Sequence, residues 1–168
     1  AKTEGGVIVE GPAGQILAGQ VIVALPLNVL SHLSLDMPLP AMAARVIVEG
    51  HVGRAAKGWA VATLSEPVES TGWPHAVEVY SRRGSRSDAV CTFAVADPSH
   101  DEALTESWRV LATRHPDVVL HPQHVSHDWI ADPFSRGSWL SSAPGQMRGL
   151  HELADMPPPV LFAGGDLS

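Results

Sequence analysis

The sequence predicts an α+β protein, an antiparallel sheet with a flanking helix, joined to a few short strands of an α/β kind. Three observations carry this. Strand-like runs at about 54–64, 75–82 and 88–96 are separated by the turn-rich stretches Pro67–Pro74 and Arg83–Ser87. A sharply marked helix then begins at Ser99, and a strand returns through Val118 to Trp129. Near the start, Gln20-Val-Ile-Val-Ala-Leu25 is a continuous apolar run that fits a strand buried on both faces.

The elements follow in order. Val7-Ile-Val-Glu10, the turn cluster Gly11-Pro-Ala-Gly14 and the run to Leu25 read as an antiparallel ribbon. Pro26 stops the apolar run, and 26–33 fits a short helix with proline in its first turn. Met37-Pro-Leu-Pro40 is a rigid connector and a plausible change of domain. Residues 41–50 predict a helix ended by Gly50. The helix from Ser99 has Pro98 before it, a capping serine and Glu102 three residues on, which makes a capping box. Leu104, Trp108 and Leu111 give it a buried stripe, and Pro116 ends it. Leu161-Phe-Ala-Gly164 reads as a short buried strand running into a glycine turn.

The chain has 168 residues, 45% hydrophobic and 17% charged, which is globular composition. A formal net charge of −7 gives no sign of a nucleic-acid-binding surface. Arg82, Arg83 and Arg86 read as a solvated hairpin tip. The single cysteine, Cys91, permits no internal disulfide and reads as a small buried hydrophobe. His121, His124 and His127 lie three apart, but on a strand 121 and 127 point one way and 124 the other, so no metal site is expected. No segment reads as a signal peptide or a bilayer span, so no membrane partner and a cytoplasmic setting are expected.

In the strand at 54–64, alternation puts Ala56, Gly58, Ala60 and Ala62 on one face and Lys57, Trp59, Val61 and Thr63 on the other. On composition alone, Lys57 extends its ammonium to water along the tryptophan. The other reading is a partly buried ammonium that holds a water and exchanges a proton. Taken blind, Trp129 is a core or rim aromatic, and Asp132-Pro-Phe-Ser-Arg-Gly-Ser138 marks turns.

Trp129-Ile-Ala-Asp-Pro-Phe-Ser-Arg-Gly-Ser-Trp139, followed by Leu161-Phe-Ala-Gly-Gly-Asp166, resembles the flavin-facing segment of the FAD-dependent amine oxidases. That family includes monoamine and polyamine oxidases and lysine-specific histone demethylases. Ala24-Leu-Pro26, Met37-Pro-Leu-Pro40 and Gly53-Arg-Ala-Ala-Lys57 resemble its approach to a lysine that reaches the flavin through a water. The resemblance implies the second part of the family fold. Residues 1–36 would be strands of the FAD-binding domain, 37–128 the substrate-binding domain, and 129–168 the return to the FAD-binding domain. The glycine-rich dinucleotide turn is absent from these residues, so the chain is expected to be one part of an oxidase.

The same resemblance implies roles. Lys57 would be catalytic, assisting reoxidation by dioxygen, and Trp139 would form one wall of the cage around a small-molecule amine. Trp129, Gly137, Ser138, Gly164, Gly165 and Asp166 would lie against FAD. Ser138 stands where some monoamine oxidases carry a flavin-linked cysteine, which implies non-covalent FAD. Trp139 replaces the usual tyrosine, and Gly165 replaces a side chain that contacts the cofactor. A homodimer is the one assembly left open. Two alternatives stand beside the oxidase: a desaturase-like or protoporphyrinogen-oxidase-like flavoenzyme, and a non-catalytic module.

Overall fold

The computed structural model describes residues 2–3, 5–73, 75–96 and 99–167; Pro74 and Pro98 lie outside them. The chain divides into two compact units, 1–53 with 133–168, and 54–132.

The second unit is continuous in sequence. Its strands are β5 (Ala55–Thr63), β6 (Glu69–Gly72), β7 (Ala76–Arg82), β8 (Asp88–Val95) and β9 (Val119–Ser126), with helix α3 (His100–Arg114) between the last two. They form one antiparallel sheet in the order β6-β7-β8-β5-β9. The small side chains Ala56, Gly58, Ala60 and Ala62 are buried, as alternation requires. The reason is α3. A Cβ on Gly58 would sit 2.9 Å from Trp108 Cζ2 and 3.0 Å from Leu104 Cδ2. Leu111, Val79 and Val90 are fully buried beside them, each worth roughly 1.5–3 kcal/mol relative to exposure. Thr92 and Ser107, both fully buried, hydrogen-bond each other and tie β8 to α3. Ser99 caps α3 as expected, accepting from the Glu102 N–H.

The first unit is assembled from two distant segments. Strands β1 (Lys2–Thr3), β2 (Gly6–Gly11) and β3 (Gly14–Ala18) make an antiparallel ribbon. Strand β4 (Val21–Val23) pairs in parallel with β10 (Val160–Phe162). Helices α1 (Leu27–Leu30), α2 (Ala41–Glu49) and α4 (Met147–Ala154) complete the unit, with a 3₁₀ turn over Gly165–Leu167. Leu27, Leu30, Val46, Leu150, Leu153 and Phe162 share its core. Helices α2 and α4 approach closely because Gly149 has no side chain: a Cβ there would meet Met42 O at 2.4 Å. Gln146 secures the end of α2, donating to Gly50 O and Glu49 Oε2.

The compact units divide at 53/54 and 132/133, and α2 packs with α4 in the first unit. Several expectations need correction. The run at 20–25 is not covered on both faces by the described residues. Its strand has one partner, and Ile22 is 65% exposed. Strand β6 lies in a stretch read as turn, and α4 was not anticipated.

Candidate active site

The sheet of the second unit has one face under α3 and another that is only partly covered. Lys57 is half-buried on this open face. Register brings Phe93 beside it and places Glu78 next to Phe93 on the following strand. Trp59, Cys91, Tyr80 and Val125 fall in the neighbouring row. The Lys57 Nζ lies 5.0 Å from the Phe93 ring centroid and 6.0 Å from that of Trp59. Those distances are within the range at which a cation is attracted to a ring face. The ammonium thus rests over the aromatics rather than extending past them. Trp59 and Tyr80 pack edge to face at 5.4 Å, and Tyr80 and Phe93 are 6.1 Å apart. The Tyr80 hydroxyl is pushed up to about 12 by a hydrogen bond with Cys91 and by burial. Burial also pushes the Cys91 thiol up, so it stays a neutral wall atom.

Trp59, Tyr80 and Phe93 carry most of this face; alternation had put Trp59 there beside Lys57, but Tyr80 and Phe93 were not singled out. The signal lay in the alternation of 76–82 and 88–95, but it became usable only once the register across the turn at 83–87 was known.

Trp129 also belongs to the second unit. It is 44% exposed and packs against the His127 ring at 4.3 Å. The three spaced histidines have separate uses. His121 Nε2 bonds Thr63 Oγ1 at 2.9 Å, His124 Nδ1 bonds Pro122 O at 3.1 Å, and His127 Nε2 pairs with Asp132 at 2.7 Å. Among the described residues no group of three or more His, Cys, Asp or Glu could hold a metal ion. At the Thr63 end of β5 an open polar cleft of about 550 Å³ is lined by Thr63, Arg86, Asp88, His121 and Gln123.

The remaining sequence-assigned positions lie in the first unit. Trp139 presents an indole that is 56% exposed. Gly137 is buried, and a Cβ there would meet Asn28 Nδ2 at 2.7 Å and His51 Cε1 at 2.9 Å. Glycine is thus required at 137 by neighbours within the unit. Ser138 donates its N–H to Gly53 O at 3.2 Å. Its Oγ is buried without a hydrogen-bond partner among the described residues. Gly164 has φ +133°, and a Cβ on Gly164 or Gly165 would meet nothing within 4 Å. Asp166 Oδ2 accepts from the Leu27 N–H at 2.8 Å, closing the first turn of α1.

His51 and Asn28 were not singled out in the sequence. His51 is buried, and its Nδ1 accepts from the Gly53 N–H at 3.0 Å. Burial holds its pKa below the ordinary 6.5, while the charge of Asp166 pulls it the other way. The neutral ring therefore carries its proton on Nε2.

No helix among the described residues is long and apolar enough to cross a membrane. The family model of flavin containing amine oxidoreductases matches residues 2–168. Pseudooxynicotine dehydrogenase of a Pseudomonas species is 28% identical over 173 residues, covering 96% of this chain and 34% of that protein. (S)-6-hydroxynicotine oxidase of Paenarthrobacter nicotinovorans is 30% identical over 160 residues, covering 90% of this chain and 36% of that protein. A solved putrescine oxidase, redesigned at its cofactor site, superposes with a TM-score of 0.76 at 21% identity, over 99% of this chain and 41% of its own. The chain thus spans about a third of the length of the curated relatives it matches. On the match across nearly its whole length, the chain belongs to the flavin containing amine oxidoreductase family.

Proposed function

We propose that the chain is the substrate-facing and flavin-facing part of a flavin-dependent amine oxidase. In this reading the 54–132 unit is the substrate-binding domain, and the first unit supplies strands and loops of the FAD-binding domain. One observation carries the proposal: the half-buried residue Lys57, with its ammonium set over Phe93 and Trp59 on the partly covered face of a sheet.

The residues suit a non-covalent FAD. Ser138 offers a buried hydroxyl with no partner among the described residues, and no thiol stands at that position. The turn at Gly164–Gly165 leaves open space beside the backbone. Gly137, Trp129 and Asp166 complete the expected set. When bound, FAD would supply the redox chemistry: it would accept a hydride equivalent from the carbon next to the amine nitrogen, the nitrogen would release a proton as the imine forms, and dioxygen would take up the two electrons and two protons to become hydrogen peroxide.

The chain's own residues orient and exclude. On the 54–132 unit, Trp59, Tyr80 and Phe93 offer flat apolar surface to the body of an amine. Trp139 forms one wall of the cage at the reacting nitrogen. Lys57 Nζ holds a water by hydrogen bonding and is the group through which a proton moves during reoxidation. The imine product leaves for hydrolysis. The relatives carry both dehydrogenase and oxidase in their names, so the acceptor is the point most worth testing.

The test is an amine panel with peroxide detection on the full-length protein. Amines with aromatic or cyclic bodies are expected to bleach the yellow flavin band anaerobically and to yield peroxide in air. A full-length protein that binds FAD but is bleached by no amine would favour a related flavoenzyme. One that binds no flavin would favour a non-catalytic module. The 168 residues alone are expected to hold FAD weakly or not at all, and a yellow preparation would contradict that.

A further inference from the structure

In the first unit the Asn28 side chain is used completely. Its Oδ1 accepts from the His51 N–H at 2.6 Å. Its Nδ2 donates to His51 O at 3.2 Å and to Arg136 O at 2.9 Å. One planar amide therefore joins α1, the stretch just after α2, and the Arg136-Gly137-Ser138 turn, which lies 108 residues away in the chain. Space has been cleared for it on two sides. A Cβ on Gly50 would sit 2.4 Å from Asn28 Oδ1, and one on Gly137 would sit 2.7 Å from Asn28 Nδ2.

The turn that Asn28 holds is not a relaxed one. Arg136 has φ +54°, a left-handed conformation that costs a side-chain-bearing residue of the order of 1 kcal/mol. The next residues are fixed by the Ser138 N–H on Gly53 O, while Gly53 itself donates to the buried His51 ring. A carboxylate at 28 would keep an acceptor for the His51 N–H but turn a second oxygen toward two carbonyls. An apolar side chain would leave all three backbone groups unmatched.

We propose that Asn28 is a positioning residue for the flavin. By holding the Arg136 carbonyl it sets where Gly137 and Ser138 stand, and through them the fit of the bound ring. The inference rests on the reading above that this turn faces FAD.

The experiment uses the full-length protein and three variants: Asn28→Asp, Asn28→Ala and Leu27→Ala. FAD affinity is followed by recovery of flavin fluorescence, and the flavin environment by the visible absorption band. Asn28→Asp and Asn28→Ala are each expected to weaken FAD about tenfold and to shift the band. Leu27→Ala removes a buried core side chain from the same short helix. It is expected to lower the melting temperature while leaving the band in place. Should Asn28→Ala fail to fold, Asn28→Asp carries the test, because it keeps the bond from the His51 N–H. Unchanged affinity and band in Asn28→Asp would overturn the proposal. So would a band shift in Leu27→Ala as large as that in Asn28→Asp, since general loosening would then suffice. An unsubstituted protein that takes up no FAD would remove the flavin reading itself, and this inference with it.

Discussion

The two units are held together in different ways. In the 54–132 unit, β6–β7 and β7–β8 are hairpins, β5 pairs with β8 and β9 from farther along the same continuous segment, and small side chains on one face receive α3. In the first unit the decisive pairings are remote: β4 with β10, α2 with α4, and Asn28 with Arg136. The sheet unit can start from its two hairpins and closes within one continuous segment. The other must first bring its two segments together, which costs loop-closure entropy before any contact is made. Function is proposed to divide the same way, with the substrate wall and Lys57 on the sheet and the flavin turns on the remote pairings.

The comparison can be broken at one glycine in each unit. Gly149→Leu puts a side chain where a Cβ already meets a backbone oxygen at 2.4 Å. Backbone cannot swing aside, so a loss of about 3 kcal/mol is expected. Denaturant unfolding should show it, with the first unit melting earliest by limited proteolysis. Gly58→Val meets only side-chain atoms, at 2.9 and 3.0 Å. Trp108 and Leu104 can shift somewhat, so about 2 kcal/mol is expected, with the early cleavage now inside 54–132. Equal proteolytic patterns for the two variants would mean that the units do not unfold separately.

A smaller effect comes from His51. Its folded pKa lies below the ordinary 6.5 because burial disfavours the charged ring. Below that pH the unfolded chain binds a proton that the folded chain resists, so stability falls as the pH drops through 6.5. Replacing His51 with Gln should flatten this part of the pH–stability curve in the first unit. A slope identical in both proteins would show that the ring is freely solvated.

The sequence was most legible where a local rule decides the outcome. Gly50 ends α2 with φ +64°, and Ser99 caps α3. Alternation placed Ala56, Gly58, Ala60 and Ala62 on one face, which α3 turns out to cover, and Lys57 on the opposite face. The misreadings share a physical cause. The apolar run at 20–25 looked doubly buried because hydrophobicity does not say how many strands flank a strand. Helix α4 contains Gly149, which lowers helix propensity by about 1 kcal/mol relative to Ala but permits the close approach to α2. Strand β6, Glu69-Ser-Thr-Gly72, is a short edge strand without apolar alternation. Asn28 is a polar residue in the short helix α1, and His51 lies in the stretch just after α2. Nothing near them in the chain indicates a partner at 136. Gly137 was expected to be glycine because of a nearby flavin; within the unit it is Asn28 and His51 that leave no room for a Cβ there, and these neighbours were not visible in the sequence.

The most direct test of the account is rapid-mixing kinetics on full-length Lys57→Met. Anaerobic reduction by an amine substrate should proceed at a rate close to that of the unsubstituted protein. Reoxidation of the reduced flavin by dioxygen should then slow by about a hundredfold, the scale on which a positioned proton-transfer group contributes. Reoxidation at an unchanged rate would contradict the role assigned to Lys57 and the oxidase reading that rests on it.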